Sequence, residues 1–434
     1  MAEMRVRGVP GWQGRVMVPG DKSISHRALI LGALAQGRTR IRNWLPAEDC
    51  WSTRRCLQAM GVVITDGPDG EVVVEGGGPQ ALREPDGILD CGNAGTAMRL
   101  LLGVVAGLPL FAVLDGDGSL RRRPMRRVTE PLLHMGARVD GRVGGASAPL
   151  AIRGGNLRGI RWRPEVASAQ VKSAILLAGL LAAGETVVEE PAPTRDHTER
   201  MLRGFGARVA VEGARVALEG GQVLSARDVD VPGDLSAAAF FLAAAAILPG
   251  SRVTVPAVGV NPGRTGFLDV LAEMGAEVTL SAERDVTGEP VADVTVAAPA
   301  GGLRGVRIGG DLVPRLVDEV PVLAVVAACA RGETVIHDAA DLRAKESDRL
   351  NVMARELARL GADIEERADG LRVVGGARLR GAEVQSAGDH RVAMALAVAG
   401  LAASGETVIA GSESVAISFP GFAQALAAFA GPTG

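Results

Sequence analysis

One short phrase recurs along the chain and limits what it can fold into. Variants of Leu-x-x-Met-Gly-x-x-Val/Ile occupy Leu57–Ile64, Leu132–Val139, Leu202–Val209, Leu271–Val278 and Leu357–Ile364, and a truncated sixth copy, AAFAG, ends at Gly431. The glycines Gly61, Gly136, Gly206, Gly275, Gly361 and Gly431 are 75, 70, 69, 86 and 70 residues apart. Each reads as the residue just past a helix, and the β-branched residues after it as a strand entry. A second phrase, Gly-x-Thr-Val in type, alternates with the first at Gly37, Gly184, Gly250, Gly332 and Gly405, with Gly107 a weaker sixth. It ends an Ala/Leu-rich helix and opens a strand. Six echoes in phase make a true repeat of helix, strand, helix, strand and a strand-rich return. Such alternation predicts an α/β fold.

A larger duplication lies over the small one. Val18-Pro19-Gly20-Asp21-Lys22-Ser23 recurs 213 residues later as Val231-Pro232-Gly233-Asp234-Leu235-Ser236. Six repeats therefore group as three plus three, and 434 residues suffice for two large cores. We expect one domain at 21–232 and another made of 1–20 with 233–434. The opening strand Arg15–Val18 then belongs to the half that begins near Asp234, and the junction is crossed twice.

Composition narrows the function classes. The net charge of −3, the absence of tyrosine and the 3% aromatic content exclude a general nucleic-acid binder or a base-stacking platform. No apolar run reaches about 18 residues, so no membrane span is expected. MAEMRVRGVPGW lacks the apolar core of a signal peptide. Cys50, Cys56, Cys91 and Cys329 show no C-x-x-C spacing, which suits free thiols in a reducing cytoplasm. Five scattered histidines offer no metal-ligand spacing, so neither metal nor cofactor is expected. A monomer is the simplest assembly.

The chemistry collects where helices begin. Pro19-Gly20 delivers Asp21, Lys22 and Ser23 to a helix over the apolar run Ala28–Ala35, ended by Gly37. Asp21 separates Gly20 from Lys22-Ser23, so this is not a phosphate-binding Walker loop. Other helix starts read Asn93-Ala94-Gly95-Thr96, Ser168-Ala169-Gln170, Asp318-Glu319, Lys345-Glu346-Ser347-Asp348-Arg349 and Asp389-His390-Arg391. Capping explains most of the Ser, Asp and Asn. It does not explain Lys22, Arg27, Arg123, Arg195, Lys345, Arg349 and Arg391, because cations at a helix start oppose its dipole. Seven such cations in an acidic chain point to a site for highly charged anions. Lys345 paired with Asp348 on an exposed turn is the plain alternative there. Asp318 and Glu346 are the acids near these cations without an obvious partner, and so the acid/base candidates.

Taken together and in order, Gly20-Asp21-Lys22-Ser23 with Arg27, Asn93–Thr96, Arg123-Pro124-Met125, Ser168–Gln170, Lys345–Arg349 and Asp389–Arg391 resemble the 5-enolpyruvylshikimate-3-phosphate synthase family. The resemblance spans nearly the whole chain. It implies two similar α/β domains, each of three βαβαββ repeats around a pseudo-threefold axis (an inside-out α/β barrel), with the active site in the cleft between them. It implies transfer of the enolpyruvyl group of phosphoenolpyruvate to the 5-hydroxyl of shikimate 3-phosphate. By motif, Lys22, Ser23, Arg27, Ser168, Ala169, Gln170, Arg195, Asp318 and Lys345 would hold shikimate 3-phosphate. Lys22, Gly95, Arg123, Gln170, Arg349 and Arg391 would hold phosphoenolpyruvate. Asp318 resembles the base at the 5-hydroxyl and Glu346 the acid that protonates the methylene carbon, with Lys22 and Lys345 assisting. The partners implied are thus small anionic substrates, and substrate is expected to draw the two halves together.

The chain departs from the family pattern in places. Ala169 stands where many members have a second serine, and Ser418 where many have lysine. Arg195-Asp196-His197-Thr198-Glu199 is similar to the glyphosate-tolerant class, whereas Gly95 is the residue of the sensitive class. Asn261-Pro262-Gly263-Arg264 departs from the tolerant Asn-x-Thr-Arg pattern. The related transferase family acting on UDP-N-acetylglucosamine carries a reactive cysteine in a Pro-Gly-Gly-Cys-like loop, and no cysteine here has that context. A non-catalytic repeat scaffold would explain the caps but leave the seven cations without a reason.

Overall fold

Six helices are apolar on nearly every side, and a helix of that kind has to be surrounded by protein. They are Lys22–Leu34, Gly95–Ala106, Ala169–Leu180, Leu235–Ile247, Val320–Cys329 and His390–Ala402, and all are largely buried. In the computed structural model, which describes residues 2–430, they divide equally between two compact units. One unit comprises Met1–Pro19, Pro232–Asp285 and Pro290–Gly434; the other comprises Gly20–Val231 and Val286–Glu289. The sixth repeat glycine, Gly431, lies outside the described residues.

Small residues let these helices pack tightly. A Cβ added at Gly103 would lie 2.3 Å from the carbonyl oxygen of Ala174 on the neighbouring helix, closer than any van der Waals contact. Each buried helix alternates with one that has a single apolar face, such as Glu48–Ala59, Arg126–Met135 and Arg349–Arg359. Five of these second helices are followed by the repeat glycine. Gly136 shows why: it ends its helix at φ 110°, and its N–H returns to Leu132 and Leu133. A side chain there would cost about 1–2 kcal/mol.

Each unit carries three sheets, and five of the six share one four-strand order; the sixth, Glu383–Gln385, Glu406–Ala410 and Glu3–Arg7, has three strands. In one, Arg161–Trp162 runs parallel to Glu185–Glu189, which pairs antiparallel with Arg215–Glu219, itself antiparallel to Val209–Glu212. The set Leu89–Asp90, Phe111–Asp115, Ser147–Arg153 and Arg138–Gly141 repeats it, as does Arg307–Ile308, Glu333–Ile336, Gly370–Val374 and Asp363–Arg367. Chain ends close each unit on itself. Val229–Asp230 runs beside Ala35–Arg42, and Glu3–Arg7 pairs antiparallel with Glu406–Ala410. Gln13–Arg15 runs parallel to Arg252–Gly259.

Two expectations shift. The strand expected at Arg15–Val18 is Gln13–Arg15, and Glu3–Arg7 opens the chain before it; after Val16 donates to Thr254 the ladder stops, three residues before Pro19, which has no N–H to continue it. Helix Lys22–Leu34 ends before Gly37, because Gln36 and Gly37 already pair with Gly77 and Gly76 in the sheet. Each unit has its own core. In one, Phe241 meets Phe419, Phe422 and Phe429 at centroid distances of 6.1, 5.8 and 5.8 Å. Such aromatic pairs add about 0.5–1.5 kcal/mol each beyond area burial. No helix among the described residues is long and apolar enough to cross a membrane.

Candidate active site

In the unit built on Gly20–Val231, polar groups gather at the starts of the three buried helices. Asp21, not Ser23, caps the first, accepting from the N–H of Ile24 at 2.9 Å. Lys22 thereby enters the first turn and meets Asp49 Oδ2 at 2.7 Å, with both side chains largely buried. One turn on, the Arg27 guanidinium is spread over three acceptors: Thr198 Oγ1 and Ser173 Oγ at 2.7 Å each, and the Ser23 carbonyl at 2.9 Å. Burial pulls its pKa down to about 10, against the opposing charge of Glu199 and Asp21, while Arg195 adds to the lowering. His26 is buried against Thr53, and burial, then the charges of Lys22 and Arg27, push its pKa well below the usual range, so the imidazole is neutral.

The second and third helix starts of this unit meet through side chains. Arg99 donates to Gln170 Oε1, and Gln170 Nε2 donates to Thr96 Oγ1 at 2.8 Å. Arg123 donates to Asn93 Oδ1 at 2.7 Å. Gly95 lies under both guanidiniums, since a Cβ there would be 2.8 Å from Arg123 and 3.1 Å from Arg99. Ser168 caps Ala169–Leu180, and Ala169 has only backbone to offer a ligand, its carbonyl already accepting from Ser173. Lys172, buried in the same helix, is held by Glu190 at 2.8 Å and Glu199 at 2.7 Å.

In the other unit the centre is Arg349, the first residue of Arg349–Arg359 and 1% exposed. It donates to Asp389 Oδ2 at 2.8 Å and Glu346 Oε2 at 2.6 Å, and its third nitrogen lies 3.4 Å from Asp318 Oδ1. Burial alone would lower its pKa, yet Asp389, Glu346 and Asp318 together hold it above the ordinary arginine value. Lys345 Nζ lies 3.7 Å from Asp318, and Arg391 lies 3.8 Å from Asp318 and 3.6 Å from Glu319. Burial, reinforced by Arg349, lowers the Lys345 pKa against the pull of Asp318. Asp389 caps His390–Ala402, and although burial opposes its charge, Arg349 holds its pKa below the usual range. Proton donors and acceptors thus stand side by side, three cations (Arg349, Lys345 and Arg391) among four carboxylates (Asp318, Glu346, Asp389 and Glu319), which suits acid/base work.

Asp318 and Glu346 are therefore not short of partners: Glu346 meets Arg349 of its own motif, Asp318 meets Lys345, Arg349 and Arg391 of two others, and Asp389, Glu319 and Asp49 also lie beside cations. Lys345 does not pair with Asp348, which instead takes Arg343 at 2.8 Å and caps its helix by accepting from Asn351. Sequence reasoning missed Arg99 and Lys172. The available signal was a lone lysine in an otherwise apolar helix, and an arginine one turn past Gly95. No group of three or more His, Cys, Asp or Glu among the described residues could hold a metal ion.

A family model described as EPSP synthase (3-phosphoshikimate 1-carboxyvinyltransferase) matches residues 6–426. A protein named 3-phosphoshikimate 1-carboxyvinyltransferase from Desulforudis audaxviator is 56% identical over 424 residues, covering 98% of each chain. One of the same name from Pelotomaculum thermopropionicum is 57% identical over 418 residues, covering 96% of each. Among solved structures, EPSP synthase from Acinetobacter baumannii matches with a TM-score of 0.85 at 44% identity, over 98% of this chain and 97% of that one. Likeness of this degree, sustained through both units, makes the chain a member of the EPSP synthase family.

Proposed function

We propose that this chain transfers the enolpyruvyl group of phosphoenolpyruvate to the 5-hydroxyl of shikimate 3-phosphate, releasing phosphate, as a step of the shikimate pathway. Asp318 takes the proton of the 5-hydroxyl as its oxygen attacks C2 of phosphoenolpyruvate, and Glu346 gives a proton to C3, with Lys345 exchanging protons beside Asp318. The tetrahedral ketal so formed is not bonded to the protein. It then loses a proton from the new methyl group as the C2–O bond to phosphate breaks, restoring the double bond. Lys22, Ser23, Arg27, Ser168, Ala169, Gln170, Arg195, Asp318 and Lys345 bind shikimate 3-phosphate. Lys22, Gly95, Arg123, Gln170, Arg349 and Arg391 bind phosphoenolpyruvate.

The observation that carries this reading is Arg349 with Glu346 on one nitrogen and Asp318 beside another. Two acids anchored on one buried cation suit a reaction that removes one proton and adds another. Both substrates are polyanions, and clustered Arg and Lys offset their repulsion. We also read each unit as three βαβαββ repeats about a pseudo-threefold axis, supported by the three sheets and three buried helices of each. Since each unit completes its sheets from its own chain, the protein works as a monomer, in the cytoplasm.

The test is phosphate release from phosphoenolpyruvate with and without shikimate 3-phosphate, for the native protein and Glu346→Gln. Release that needs both substrates and falls about 100-fold or more in the variant supports the reading. Release with UDP-N-acetylglucosamine in place of shikimate 3-phosphate would move the function to the related transferase.

A further inference from the structure

Lys172 is 1% exposed, in a helix whose inward positions are otherwise almost all apolar. A lysine buried without counter-charge would lose its proton. Here two carboxylates, Glu190 and Glu199, flank one ammonium, one more than neutrality requires. The surplus has a destination, because Glu199 also acts on Arg27 and opposes the loss of charge that burial imposes there.

The geometry is stepwise. Lys172 is followed by Ser173, and Glu199 is preceded by Thr198. Lys172 binds Glu199 across the two helices, and beside it Ser173 Oγ and Thr198 Oγ1 lie 2.7 Å apart, each accepting from Arg27. The Ser173 hydroxyl donates to the Ala169 carbonyl at 2.6 Å, which leaves Thr198 to donate to Ser173. On the far side, Thr194 donates to Glu190, and Arg195 follows Thr194 directly. One buried ammonium therefore ties together the helix start at Ser168–Gln170, the loop that carries Arg195, and the hydroxyls that grip Arg27.

We propose that Lys172, with Glu190 and Glu199, is the positioning core for shikimate 3-phosphate: it fixes Arg27 and Arg195 without touching the substrate. This rests on the functional reading above. Steady-state kinetics of Glu199→Gln and Glu190→Gln test it, with thermal melting of each. Either substitution keeps the side-chain shape and leaves Lys172 one carboxylate, so a folded variant is expected, and each serves if the other fails to fold. The KM for shikimate 3-phosphate should rise about 5- to 30-fold. The KM for phosphoenolpyruvate and kcat should stay within about twofold, a split that general damage to the fold would not produce. Unchanged KM for shikimate 3-phosphate, or equal losses in both KM values and kcat, overturns the proposal. A native protein with no shikimate 3-phosphate-dependent release overturns the functional reading itself.

Discussion

Arg349 donates to Glu346 Oε2 at 2.6 Å from a guanidinium that is almost wholly buried. Because the same guanidinium also satisfies Asp389, it is both the anchor of the proposed proton donor and the counter-charge of a helix cap. Arg349→Met would leave two buried carboxylates uncompensated and should destabilise the protein by about 3–5 kcal/mol. Urea denaturation followed by fluorescence reads this directly. Arg349→Lys keeps the charge but not the fork, so it should lose less stability while phosphate release still falls about 100-fold. A methionine variant as stable as the native protein would remove Arg349 from this role.

The lowered pKa of Lys345 fixes the sign of a pH effect. Burial, then Arg349, disfavour its charged form, so its proton leaves below the ordinary lysine range. If the ammonium is the working form, kcat/KM falls as pH rises through that lowered value. Lys345→Arg, whose guanidinium stays charged, should carry the plateau to higher pH even at a lower rate. An alkaline limb unmoved by the substitution would assign it to another group.

Gly95→Ala separates binding from stability. The added Cβ would come within 2.8 Å of Arg123 Nη1, the far end of a flexible side chain that can swing away. The fold loses little and gains up to about 1 kcal/mol of helix propensity. The displaced guanidinium should raise the KM for phosphoenolpyruvate several-fold, with the KM for shikimate 3-phosphate unchanged. Kinetics with each substrate varied in turn decide it.

Gly103→Ala does the opposite. Its Cβ would meet backbone, the Ala174 carbonyl at 2.3 Å, which has no rotamer to escape into. Overpacking between the two helices should cost about 1–3 kcal/mol and lower the melting temperature, with kcat of the folded protein retained. An unchanged melting temperature would mean the helices separate freely.

Much of the fold was legible because the repeat glycines answer to a local rule. Gly61, Gly136, Gly206, Gly275 and Gly361 all take positive φ, a requirement that no distant contact alters. The caps at Ser168 and Asp21 are local in the same way, each side chain accepting from the N–H three residues on. The partners of Asp318 and Glu346 were not legible, since several cations at similar spacing competed for them.

By itself, then, the sequence determined the α/β alternation, the sixfold repeat and the helix starts where charge collects, all of which depend on residues within a turn or two of each other. Only the tertiary structure decided which charges meet. Lys172 and Glu199 are 27 residues apart, Arg27 and Thr198 are 171 apart, and Glu3–Arg7 closes a sheet with Glu406–Ala410 from the opposite end of the chain. Pairings of that range depend on how whole helices and sheets pack, and nothing in the local phrase specifies them.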